Sequence, residues 1–333
     1  MNKKWFIGID ISKLSLDVAI YSDGVDRHAD HIKVTNDISG FRQLLKWLKE
    51  VKVDYKQSLF CMEHTGLYGQ DIQYFLSSKG ITYCMESPLQ IKRSLGLVRG
   101  KNDKVDAQRI AWYAYTFRDR IKASHLQPEA LRILQRLLVE RKHYVKQIVS
   151  YRQQKADVIS HETKQTSKRK TKMLKYLDNM LLQVESQMME IITSDSLINN
   201  NYNLLLSIPG IGIINAITTI VNTQNFTAFS NARQYACYIG IAPFEHTSGT
   251  SINGRTCVSK FGNKQAKAEL TQAARSAVMH DPGIKSYFQR KYNEKGATRD
   301  AYGIVLNAVK FKLVLRIFAV VKRGTQYVKL TYA

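Results

Sequence analysis

Asp103 and Asp106 stand three residues apart in the segment Lys101-Asn102-Asp103-Lys104-Val105-Asp106. On a helix beginning there, the two carboxylates share a face. Lys101, Lys104 and Arg109 surround them and would hold a polyanion. Paired acids among cations suit a divalent metal facing a phosphate, with hard oxygen ligands on the metal side. The same pair is equally what an ordinary helix N-terminus carries, because the dipole favours acids there. Two more acids close apolar, strand-like runs: Asp10 after Trp5-Phe6-Ile7-Gly8-Ile9, and Glu63 after Ser58-Leu59-Phe60-Cys61-Met62. In layered α/β sheets ligands collect beyond the carboxyl ends of strands, so Asp10, Glu63, Asp103 and Asp106 could meet at one edge. Four acids without a His or Cys ligand set point to Mg²⁺ or Mn²⁺ rather than zinc. A strand-end turn for Asp10 and a plain surface acid for Glu63 are the alternatives. Asp17 lies inside the second strand and is expected not to reach that edge. His64 is read as a loop residue.

A second chemical candidate lies far along the chain. Ser248, in Thr247-Ser248-Gly249, is close to Arg255, Lys260 and Lys264. A serine beside cations can attack phosphorus if a base or metal takes its proton. It can equally shape a Ser-Gly turn. Ser251 stands three residues further on.

The elements that must position these groups follow from periodicity. Strands are predicted at 5–12, 16–21, 31–34, 58–63 and 81–85, with a turn at 22–24, and helices at 39–51 and 69–78. This alternation argues for α/β layers. From about Pro128 the pattern is helical. Eleven Lys or Arg stand between Glu140 and Lys175 against three acids, so the stretch can track a phosphate backbone or pair subunits. Thr163–Lys172, containing Lys168, Arg169 and Lys170, reads as a hinge or exposed tip before a second helix at 173–192, giving an antiparallel pair or coiled coil. Ile208-Pro209-Gly210-Ile211-Gly212 joins two apolar helical runs, a helix-hairpin-helix pattern in which Gly210 and Gly212 allow close approach to a backbone phosphate. The stretch 229–240 reads as a capped helix, 241–251 as a loop, 252–262 as a basic Gly-punctuated stretch, and 266–279 as a helix.

The 333 residues suggest two or three domains, and the 44% hydrophobic content is enough for real cores. A net charge of +23 makes nucleic acid the first partner to consider. No apolar run approaches the ~20 residues of a spanning helix, and the start lacks a signal-peptide pattern, so no membrane role is expected. The scattered Cys61, Cys84, Cys237 and Cys257 read as reduced cytosolic thiols.

The ordered series D…E…D-x-x-D, a basic helical pair, I-P-G-I-G, and then G-I-A-P…T-S-G…G…K-F-G resembles the IS-one-ten family of insertion-sequence transposases, relatives of the Piv DNA invertase. The resemblance covers nearly the whole chain and rests on the order of the motifs. It implies an α/β RuvC-like (ribonuclease-H fold) DEDD metal-binding domain at 1–125, a basic helical coiled coil at 126–197, and a mainly α transposase domain at 198–333 holding the helix-hairpin-helix and the serine loop. Asp10, Glu63, Asp103 and Asp106 would bind Mg²⁺ or Mn²⁺, and Ser248 would form a covalent phosphoserine link to DNA. The partners implied are target and donor double-stranded DNA, a noncoding bridge RNA, and further copies of the chain in a dimer or tetramer. A cytoplasmic, nucleoid-associated prokaryotic protein is expected. The competing readings are a metal-only RuvC-like nuclease or resolvase, in which water attacks and Ser248 is structural, and a non-catalytic nucleic-acid-binding protein.

Overall fold

The computed structural model describes residues 3–22, 30–64, 66–94, 102–157, 163–248, 252–259 and 261–328. The chain divides into two compact units, Met1–Leu126 and Gln127–Ala333.

In the first unit five strands form one mixed sheet: β1 (Trp5–Ile11), β2 (Ser15–Tyr21), β3 (His31–Thr35), β4 (Ser58–Glu63) and β5 (Tyr83–Glu86), in the order β3-β2-β1-β4-β5. The first three are antiparallel neighbours, whereas β4 runs parallel to β1, and β5 parallel to β4. Strand side chains alternate between faces. Trp5, Ile7, Ile9 and Ile11 therefore enter one core with residues of α1 (Ile38–Glu50) and α2 (Gln70–Ser78). Phe6, Leu59, Cys61 and Cys84 pack on the opposite side against Ile110, Tyr113 and Ala114 of α4 (Asp103–Thr116), with Ile91 of the short α3 (Pro88–Ser94).

Gly8 sets how closely α4 can sit on the sheet. A Cβ at this position would overlap the main-chain oxygen of Ala107 and the main-chain nitrogen of Ala111. Gly8→Ala is expected to destabilise the protein by about 1–3 kcal/mol, the usual cost of overpacking. A chemical denaturation curve with an unshifted midpoint would show that α4 can retreat freely.

The second unit opens with two long helices, α5 (Glu129–Asp157) and α6 (Lys164–Ser194). The ion pairs Arg141–Glu185 at 2.7 Å and Arg152–Asp178 at 3.2 Å show that they run antiparallel. The expected hinge over Thr163–Lys172 is corrected: Thr163 caps α6 by accepting from the Thr166 amide, and Lys168, Arg169 and Lys170 lie on helix. Lys and Arg are good helix formers, so a run of them without apolar spacing does not break a helix.

Then come α7 (Ser196–Leu206), α8 (Ile213–Asn222), α9 (Ala232–Tyr238), a hairpin of β6 (Pro243–Ser248) and β7 (Ile252–Val258), α10 (Lys264–His280), α11 (Pro282–Glu294) and α12 (Arg299–Arg323). One core joins Leu205, Ile217, Ala236, Ala274 and the apolar face of α12, including Val309, Leu313 and Ile317. The loop expected at 241–251 is also corrected, because Pro243–Ser248 is a strand. All four cysteines are free. Among the described residues no helix is long and apolar enough to cross a membrane.

Candidate metal and nucleic-acid site

Three neighbouring strands bring acids to the face of the sheet that α4 covers. Asp10 stands near the end of β1, directly opposite Asp17 on β2. Ile9 pairs with Met62, so the parallel register carries Asp10 and Glu63 forward side by side. Asn102 caps α4 by accepting from the Lys104 amide at 3.0 Å, and this starts the helix so that Asp103 and Asp106 fall in its first turn. Asp103 is exposed and Asp106 half-buried.

These carboxylates feel one another. Burial pushes the Asp10 carboxyl above the usual range, and the charges of Asp103, Asp106 and Asp17 push it further. Glu63 is raised by burial, then by Asp10 and Asp106. Like charges brought together in a partly desolvated place disfavour ionisation. Among the described residues no three His, Cys, Asp or Glu side chains converge closely enough to hold an ion as they stand. The donor set still fits a hard cation, since Asp10, Glu63, Asp103 and Asp106 offer four carboxylates and no His or Cys ligand.

Cations already offset part of this charge. Arg109 donates to Asp106 Oδ1 at 2.6 Å, so this guanidinium, expected on phosphate, is engaged by a carboxylate. Lys33 lies 3.1 Å from Asp17 and 3.9 Å from Asp103. His31 Nε2 meets Asp17 Oδ1 at 2.9 Å. The expectation that Asp17 stays away from the edge is therefore corrected: it faces the same side as Asp10 and its charge reaches Asp10. Counting outward from the tight Ser12–Leu14 turn would have found this pairing. Lys33 is a further polar group that sequence reasoning passed over.

In the second unit, Ser248 is the last residue of β6 and pairs with Ile252 across the hairpin. Arg255 lies on β7, and Lys264 begins α10. Lys101, Lys260 and Ser251 lie outside the described residues. The two glycines of I-P-G-I-G do different work. Gly210 has φ +93°, and a Cβ there would crowd Ala273 and Ala277 of α10, so it serves packing. Gly212 faces open space at the N-terminus of α8, where no side chain caps the helix. Gly240 (φ +70°) and Gly262 pack backbone to backbone, which ties the residues just before α10 to the end of α9.

An α/β unit with acids at its strand ends, followed by a mostly helical basic unit, suits a protein that works on nucleic acid, and comparison with known proteins gives the class as transposase. Residues 7–178 match the DEDD transposase family of IS110, and residues 202–289 match the transposase family of IS116, IS110 and IS902. The chain belongs to the IS110 family of transposases. The first match spans all four acids and the second spans Ser248. The pilin gene-inverting protein of Moraxella bovis is 24% identical over 98% of both chains, and that of Moraxella lacunata is also 24% identical over 98% of both. An uncharacterised 43.6 kDa protein of insertion element IS110 from Streptomyces coelicolor is 31% identical over 124 residues, 37% of this chain and 29% of that one. Family membership makes DNA the substrate and the cutting and rejoining of its strands the activity.

Proposed function

We propose that this transposase acts through a DEDD metal site and a serine nucleophile, with the target chosen by RNA. The observation that carries the reading is the gathering of Asp10, Glu63, Asp103 and Asp106 on one face of the first unit, where Asp103 and Asp106 help to raise the pKa of Asp10, and Asp10 and Asp106 that of Glu63. The strand order β3-β2-β1-β4-β5, with its antiparallel and parallel halves, supports a RuvC-like fold. The domain assignment is 1–125, 126–197 and 198–333, with the α5–α6 pair as a coiled coil between subunits.

In this reading the four carboxylates hold Mg²⁺ or Mn²⁺, which when bound neutralises charge on the scissile phosphate. Ser248 Oγ attacks phosphorus; the O–P bond to the protein forms, the bond to the deoxyribose oxygen breaks, and the serine's proton ends on the departing hydroxyl. A hydroxyl from a second strand reverses the step, restores a phosphodiester and frees Ser248. The ester conserves the energy of the broken bond, so no ATP is required. Lys104, Lys168, Arg169, Lys170, Arg255, Lys260, Lys264 and Lys101 hold nucleic-acid backbone, as Gly212 does through the α8 amides. A bridge RNA would read target and donor sequence by pairing, which leaves shape and backbone contacts to the protein. Residues of separate subunits complete one site in an oligomer.

The test is to react the full chain with copurified RNA and DNA carrying the element ends, then digest and map covalent adducts. A nucleotide on the peptide containing Ser248, lost when RNA is removed beforehand, is the expected result. Free cut ends with no protein attached would instead assign the attack to water.

A further inference from the structure

Between α9, the base of the β6–β7 hairpin, α10 and α12 lies a cavity of about 1230 Å³. Its walls are mainly apolar, with Phe244, Ile304 and Phe311 among them. Four cations also line it, namely Arg233, Lys264, Lys267 and Lys310, and among the described lining residues there is no Asp or Glu. Lys310 is only 6% exposed. Its ammonium has a neutral hydroxyl for a partner, Thr271 Oγ1 at 3.4 Å. Lys267 donates to a neutral carbonyl, that of Gly240, at 2.8 Å.

A buried ammonium without a counter-charge is costly, and a second cation beside it raises the cost. Burial and the nearby Lys267 bring the Lys310 pKa down to about 8. Among the described lining residues there is no carboxylate to relieve this strain, and an anionic ligand would supply the missing charge. Gly303 adds an independent indication. It sits inside helix α12, where glycine costs stability, yet a Cβ there would touch nothing. No packing inside the protein requires it, and what it leaves open is the cavity wall.

We propose that this cavity is a nucleotide subsite for a single strand of the DNA substrate, with a base against Phe244, Ile304 and Phe311 and its phosphate on Lys310 and Lys267. An aromatic base satisfies the apolar walls, and a phosphate satisfies the unpaired cations. DNA is favoured because the wall-forming hairpin also bears Ser248. Pro243 at its base and Ser248 at its tip are five residues apart, about 17 Å along an extended strand. A strand leaving the cavity along the hairpin reaches the serine within a few nucleotides. In that respect the assignment rests on the serine reading above.

The experiment measures binding of a fluorescent ten-nucleotide single-stranded DNA by the full chain, with metal chelated so that no chemistry occurs. An inert Ser248 would leave this measurement untouched, so the two readings fail separately. Lys310→Met should weaken binding roughly tenfold, the scale of one charge-assisted hydrogen bond. It should also lower the salt slope by about 0.7 and raise the Tm. Gly303→Phe, which fills the cavity and alters no charge, should weaken binding similarly and leave the salt slope alone. Wild-type affinity in both variants overturns the proposal, as does a lower Tm for Lys310→Met, which would make the lysine structural. Tighter binding of the matching RNA strand than of the DNA would overturn the assignment to the DNA substrate.

Discussion

Asp10→Asn is expected to lower recombination sharply while raising the melting temperature of the metal-free protein. The substitution keeps the shape and removes one charge from a group whose ionisation is opposed by burial and by three neighbouring acids. An acid whose folded-state pKa is raised favours the native state at low pH, and that advantage is lost as the pH climbs through its folded value. At neutral pH the ionised Asp10 therefore works against folding. Asparagine removes this penalty, and a gain of about 2–5 °C is expected. The same change takes away an oxygen ligand, and strand transfer should fall by at least about a hundredfold, the scale of losing one well-aimed electrostatic group. Scanning fluorimetry with and without Mg²⁺ separates the two effects. The wild type should gain stability from the ion and the variant little. A variant that melts lower than wild type and still responds to Mg²⁺ would detach Asp10 from the site.

Ser248→Ala is expected to have the larger effect on chemistry and almost none on the fold. The residue ends β6, where it pairs with Ile252 across the hairpin, and serine to alanine at a strand end is a small change. If Oγ is the attacking atom, SDS-stable protein–DNA complexes should disappear and recombination should fall by at least about a thousandfold, as expected for losing a covalent nucleophile. Gel shifts with element-end DNA should remain at wild-type affinity. Strand cleavage at wild-type rate in the alanine variant would transfer the attack to water and leave the serine a turn residue.

The acids were legible because each falls where a local pattern changes. Glu63 ends an apolar strand, Asp10 stands one residue before the end of another, and Asp103 follows a capping asparagine. Asp17 was not, since its importance depends on which residue faces it across a hairpin. The basic N-terminal part of α6 was misread for a related reason: helices extending beyond a core need no apolar stripe, so charge alone hides them. The hairpin around Ser248 is short and rich in Thr and Gly, and its pairing depends on main-chain hydrogen bonds that composition does not display. Gly210 looked like an approach point for DNA, and its left-handed backbone against α10 gives it a packing role that the sequence did not display.

The seating of α4 on β1 carries a genetic consequence. The atoms a side chain at residue 8 would strike belong to the peptide groups of Ala107 and Ala111, so trimming a neighbouring side chain cannot make room. A lesion at Gly8 should thus lack local suppressors. Revertant screens ought to return glycine itself, or distant changes that add general stability, and the spacing between the strand's carboxylate and the helix's pair should behave as an all-or-none trait.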